Sequence, residues 1–208
     1  VTLGGPAFDD PGDDFEPGLF IKPGIIFTSR GCPHHCPFCL VPKREGNIME
    51  LPIRPGHIIA DNNLLACSRP HIEAVFDMLS QQRRGAVFSG GLDATLLQPW
   101  HIDLIRGLPR LGGVWFACDS AAAIKPLQRA AEMLTWLDIK KKRCYCMIGL
   151  GSIQEAEARL ERVYALGFLP FAQLYRPADS CQAMPPYDWH WKALARKWSR
   201  PAAYRGRK

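Results

Sequence analysis

Ile25–Gly46 reads IIFTSRGCPHHCPFCLVPKREG, a short apolar run followed at once by Cys32, Cys36 and Cys39 in C-x3-C-x2-C spacing. Three thiols this close in sequence can converge on one inorganic centre, because the loop between them has to curl only once. Their number is informative. A structural zinc site and a closed electron-transfer cluster both take four protein ligands, so three cysteines point to a cluster with one iron left open. Gly31 allows backbone conformations closed to other residues, while Pro33 and Pro37 stiffen the loop and remove amide donors. A zinc knuckle completed by His34 or His35 is the alternative, although adjacent histidines inside the loop fit the usual paired layouts poorly.

Working outward, apolar runs recur with helical stretches between most of them, at the spacing of βαβ units. Strands are predicted at Ile25–Thr28, His57–Ala60, Ala86–Ser89, Val114–Ala117, Cys144–Ile148 and Leu169–Leu174. Helices are predicted at His71–Gln82, Ala94–Leu108, Pro126–Trp136, Ser152–Leu166 and Tyr187–Trp198. The fourth is the best marked: Ser152 and Glu155 form a capping box, Ala156, Leu160, Val163 and Leu166 make an apolar stripe, and Gly167 stops it. Pro126 suits a first helical position. Between Leu40 and Gly56 no helix is legible, so the first crossover is irregular or carries a small extra strand. Each strand ends in a polar or Gly-rich phrase, and parallel α/β sheets bind ligands at those carboxyl ends. The fold expected is α/β, a six-unit partial (β/α) barrel, with an open doubly wound sheet as the alternative.

Cys32-Pro33-His34-His35-Cys36-Pro37-Phe38-Cys39 resembles the signature of the radical S-adenosylmethionine (radical SAM) enzymes, including the aromatic residue before the third cysteine. The resemblance runs from about Gly24 to Asp179, and the wording Cys39-Leu40-Val41-Pro42-Lys43-Arg44-Glu45-Gly46 is most similar to the methylthiotransferase and cobalamin-linked branches. It implies the TIM-barrel-like partial barrel and a [4Fe-4S] cluster on Cys32, Cys36 and Cys39 whose fourth iron chelates S-adenosyl-L-methionine. It also implies reductive cleavage to methionine and a 5′-deoxyadenosyl radical that abstracts hydrogen from a substrate, fed by a flavodoxin- or ferredoxin-like electron donor. Cobalamin would enter only through a domain that this sequence does not show.

The resemblance also assigns cofactor-binding residues. Phe38 would lie against adenine. Gly90 and Gly91, in Ser89-Gly90-Gly91, would approach the amino group of S-adenosylmethionine, with a plain tight turn as the alternative; the family often continues with Glu and Pro, and here Leu92 and Asp93 follow. Asp119 and Ser120 have oxygens for ribose hydroxyls, Gly149 and Gly151 resemble the fifth-strand glycine motif, and Tyr175 offers a stacking face. Arg176 is a fork for carboxylate or phosphate, and Asp61, Asn62 and Asn63 are candidates for substrate contact, with a buried turn held by local Asx hydrogen bonds as the alternative. Cys118, near the end of a strand, is a candidate catalytic thiol. Cys67, Cys144, Cys146 and Cys181 read as small core residues, with Cys144 and Cys146 expected on opposite faces of their strand.

The 208 residues are 47% apolar and 22% charged, with eight cysteines and a net charge of +6. That suits one ordinary globular core, and the chain has no need of disulfides to hold it. With no spanning run and no signal pattern, the expectation is a cytoplasmic protein without membrane contact. Val1 stands where an initiator methionine would, as in a piece of a longer protein. Residues 1–23 read as a linker or arm, acidic through Asp9, Asp10, Asp13, Asp14 and Glu16; residues 24–179 form the core domain. Residues 180–208 are a basic, aromatic helix and tail that can bind nucleic acid, or close over the barrel mouth, and Lys140-Lys141-Lys142-Arg143 is a second basic run. The rival to an enzyme is a non-catalytic iron–sulfur or zinc protein with a sensing, electron-transfer or structural role, possible also as an RNA-binding module.

Overall fold

A computed structural model describes residues 22–176 and 187–204. Most of the predicted arm, Cys181 and the join to the tail lie outside the described residues.

The chain enters through β1 (Ile25–Ile26). A small antiparallel pair, β2 (Ser29–Arg30) with β3 (Met49–Glu50), then brackets the cysteine loop and a single-turn helix α1 (Val41–Arg44). β3 is the small extra strand foreseen in the first crossover. Thereafter β4 (Ile58–Ile59), α2 (Arg69–Ser80), β5 (Ala86–Leu92), α3 (Pro99–Gly107), β6 (Leu111–Ala117), α4 (Ile124–Met133), β7 (Lys142–Ile148), α5 (Ile153–Ala165) and β8 (Leu169–Leu174) alternate. β1, β4, β5, β6, β7 and β8 form one parallel sheet in chain order. A doubly wound sheet needs a reversal of strand order, and this sheet has none.

Local chemistry accounts for the helices. Ser68 caps α2 by accepting from His71 N at 3.4 Å, and Ile72, Val75, Phe76 and Leu79 are buried at helical spacing. The capping box of α5 is formed, with Glu155 N on Ser152 Oγ at 3.2 Å and Ser152 N on Glu155 Oε2 at 3.1 Å. α3 begins at Pro99, later than expected, because the Asp93 carboxylate holds Thr95 N at 2.8 Å in a turn of its own. Pro126 is the third residue of α4, still within the turn whose amides lack helical partners.

β7 alternates in burial along its length: Lys142, Cys144, Cys146 and Ile148 are buried, while Arg143, Tyr145 and Met147 are half-buried. Cys144 and Cys146 therefore share a face, contrary to the expectation, because residues two apart in a strand point the same way. Phe88, Val114, Phe116 and Ala172 stand in register with this face and are buried with it. The opposite face carries Trp115, stacked on Tyr145 at 4.4 Å between centroids, with Phe171 edge-on to both. The same alternation divides the basic run. Lys142 is buried with its amine 3.3 Å from Leu134 O, Arg143 lies over the Trp115 ring on the other face, and only Lys140 and Lys141 are exposed.

α6 (Trp189–Trp198) and α7 (Pro201–Tyr204) follow. α6 lies against β8 and α5. It buries Leu194 and Trp198 there, and Ser199 Oγ donates to Ala172 O at 2.8 Å. The helix thus packs on the sheet through Leu194 and Trp198, while Trp189 remains 69% exposed. Among the described residues no helix is long and apolar enough to cross a membrane.

Candidate functional site

The cysteine loop leaves β2 at the carboxyl end of the sheet and is held at both ends. Cys32 N donates to Gly46 O at 3.2 Å, which closes the loop's base. Glu45, just beyond α1, accepts from Gly31 N at 3.0 Å and Asn62 Nδ2 at 2.5 Å, and pairs with Arg30. One carboxylate therefore ties both ends of the loop to the segment after β4. Glu45 was quoted in the sequence only as part of a phrase; its role depends on Asn62, which no local pattern links to it.

Beneath this clamp, Asp61 is 1% exposed and accepts from Thr28 N at 2.6 Å, Thr28 Oγ1 at 2.5 Å and Ser29 Oγ at 2.9 Å. Burial raises its pKa against the pull of these donors. Asp61 therefore anchors the strand that delivers the cysteines, a correction to its reading as a substrate contact. Asn62 is taken up by Glu45. Asn63, 3% exposed, donates from Nδ2 to Asp93 Oδ2 at 3.1 Å and to Cys32 Sγ at 3.6 Å, and its Oδ1 is buried with no partner. Asp93 also binds His34 Nε2 and accepts from Thr95 Oγ1 at 2.6 Å. Burial alone would raise the Asp93 pKa, but the donors Thr95, His34 and Asn63 outweigh it and hold the carboxyl below its ordinary value.

Cys32 and Cys39 are half-buried and Cys36 is exposed. Burial pushes the Cys36 thiol up, and the Cys39 and Cys32 thiols and the Asp119 and Asp93 carboxylates push it further. Thiols and carboxylates thus gather around Cys36. Among the described residues no three His, Cys, Asp or Glu side chains are placed to hold a single metal ion. Three thiols with the Asn63 amide on Cys32 Sγ are a donor set of the kind an iron–sulfur cluster takes.

Beside Cys39 opens a cleft of about 520 Å³. Phe38, Cys39, Ser89, Gly90, Asp119, Tyr145, Met147, Tyr175 and Arg176 line it, together with Leu40, Ala117, Gln173 and Leu174. Its volume lies within the range of about 300–1,000 Å³ typical of small-molecule sites. Gly90 and Gly91 sit in a bulge: Phe88 pairs with Val114 and Leu92 with Phe116, so four residue steps on β5 face two on β6. They interrupt β5 where the sequence placed its end. Gly91 has φ +101° and open space where a side chain would be. Asp119 Oδ1 accepts from Met147 N at 2.7 Å, and burial raises its pKa over the opposing effects of Met147 and Arg159.

The remaining residues fall outside the cleft lining. Ser120 is exposed at the start of a short 3-10 turn. Gly149 lies under Tyr187, whose hydroxyl donates to Tyr175 O at 2.6 Å, and Gly151 sits beside the Glu155 carboxylate. Cys118 is fully buried and its thiol is pushed up to about 12 by burial first and the nearby Cys146 thiol second. Such a group stays protonated and unreachable, which corrects its reading as a catalytic thiol. Tyr145 and Met147 were not singled out from sequence, although their alternation with Cys144 and Cys146 was a legible signal for the cleft face.

Comparison with protein-family models, characterised proteins and solved structures returns no match. The functional reading rests on the residues and their arrangement.

Proposed function

We propose that this chain is a radical SAM enzyme, in which Cys32, Cys36 and Cys39 hold a [4Fe-4S] cluster and the adjoining cleft takes S-adenosyl-L-methionine. The observation that carries this reading is the convergence of Phe38, Cys39, Gly90, Asp119, Tyr175 and Arg176, drawn from separate strand ends, on one cavity of about 520 Å³. The parallel sheet in chain order supports the partial (β/α)6 barrel, because parallel strands bring every carboxyl end to one rim and the order shows no reversal. Held there by Cys32, Cys36 and Cys39, the cluster would pass one electron from an external donor to S-adenosylmethionine and so supply reductive cleavage of its sulfonium for hydrogen abstraction from a substrate.

The chain's own residues bind and orient. Phe38 offers a flat apolar face for adenine at the cleft wall, and Gly90 presents bare backbone beside it. Asp119 keeps one oxygen on Met147 N and has a second that would accept from ribose hydroxyls. Arg176, also in the lining, supplies a guanidinium for a carboxylate. The exposed side of the loop, at Cys36, is where a flavodoxin- or ferredoxin-like donor would deliver its electron.

The test is anaerobic reconstitution with iron and sulfide, reduction by dithionite with S-adenosylmethionine, and assay of 5′-deoxyadenosine beside Cys36→Ala. Product that depends on Cys36 is the expected result. Protein that carries a full cluster and releases none overturns the proposal.

A further inference from the structure

Asn63 is placed by the fold, 31 positions beyond Cys32, with one amide hydrogen toward the Cys32 sulfur at 3.6 Å and the other toward Asp93 at 3.1 Å. Both neighbours are acceptors. The reversed amide would aim its oxygen at a carboxylate and a thiolate, so the orientation follows from the partners. Asp93 is itself fixed by Thr95 N at 2.8 Å, Thr95 Oγ1 at 2.6 Å and His34, and Asn63 is 3% exposed. The donor is thus held rigidly, out of water, against one ligand sulfur.

We propose that Asn63 sets the reduction potential of the cluster by donating from Nδ2 to the Cys32 sulfur. This rests on the radical SAM reading above. An N–H aimed at a ligand sulfur favours negative charge there, and the reduced cluster carries one electron more than the oxidised one. The donor therefore stabilises the reduced state more and raises the potential, and hydrogen bonds to the sulfurs are among the determinants of cluster potentials. Asp93 is the positioning residue behind it, because its carboxylate holds the second amide hydrogen and keeps the first on the sulfur.

The experiment is an electron-paramagnetic-resonance redox titration of the reconstituted full chain, compared with Asn63→Leu, which keeps the branched outline without a donor, and Asn63→Ser, which is too short to reach the sulfur. Both variants should bind iron as the parent does and show a more negative midpoint. Gln128→Ala is the control: Gln128 donates to Glu132 on the exposed face of α4 and not to a sulfur, and its midpoint should match the parent. Equal midpoints in the parent and both Asn63 variants overturn the inference and leave the proposed function standing. A parent chain that assembles no reducible cluster overturns the proposed function and this inference with it.

Discussion

Gly90 packs so tightly on Asp61 that a β-carbon at position 90 would lie 1.9 Å from the Asp61 carbonyl oxygen. The contact is with backbone, which no side-chain rotation relieves. It joins the bulge of β5, which lines the cleft, to the segment that anchors the cysteine loop. Gly90→Ala should therefore destabilise the fold by about 3 kcal/mol or more, beyond ordinary overpacking. Gly91→Ala, with open space around it, should cost only the positive φ, about 1 kcal/mol. Urea unfolding of the two variants checks the order; equal losses would refute the packing argument.

Glu45→Ala should loosen the cysteine loop without touching a ligand. It releases Gly31 N, Asn62 and Arg30 together, and a loss of about 1–3 kcal/mol is expected for the partners left unpaired. Iron bound per chain after reconstitution should fall, while the far-ultraviolet circular dichroism stays that of the parent. Full iron content in Glu45→Ala would remove the clamp from the account.

The acid side of the stability profile should carry the signature of His101. Its Nδ1 accepts from Gln98 N at 3.0 Å, the ring is 2% exposed, and burial first and Arg69 second lower its pKa from 6.5 to about 4. As pH falls from 6.5 to 4 the unfolded chain takes up a proton that the folded chain refuses, so stability drops across that window by about 3 kcal/mol. His101→Gln keeps an acceptor for Gln98 N and should flatten this part of the curve. Urea unfolding at pH 7 and pH 4.5 decides it; parallel curves for the two proteins would place the acid sensitivity elsewhere.

Alkylation should separate the loop cysteines from the core ones. With iodoacetamide at pH 8, the metal-free folded chain should be labelled at exposed Cys36, whereas Cys118, Cys144 and Cys146, each 0% exposed, should react only after denaturation. Cys118→Ala should leave the yield of 5′-deoxyadenosine unchanged and cost about 1 kcal/mol for the small cavity. Peptide mass mapping reads the labels, and modification of Cys118 in the folded chain would restore it as a reactive group.

Elements whose causes are local were legible along the chain. Cysteine spacing, the Ser152–Glu155 box, the stop at Gly167 and six apolar runs each lie within a few residues of what they specify, so strands and main helices came out near their predicted places. The partition of the Lys140–Arg143 run was not read, because the strand was expected to start at Cys144 and it starts at Lys142. Only the tertiary structure decided strand order, the bulge at Gly90 and Gly91, the seat of α6 on β8 and the burial of Cys118. It also decided the polar contacts of the site: Asn63 meets Cys32 across 31 positions and His34 meets Asp93 across 59. Hydrogen bonds between distant groups leave no period or motif in the chain. They form where the packing of strands and helices brings a donor and an acceptor together out of water, and that packing is a property of the whole core.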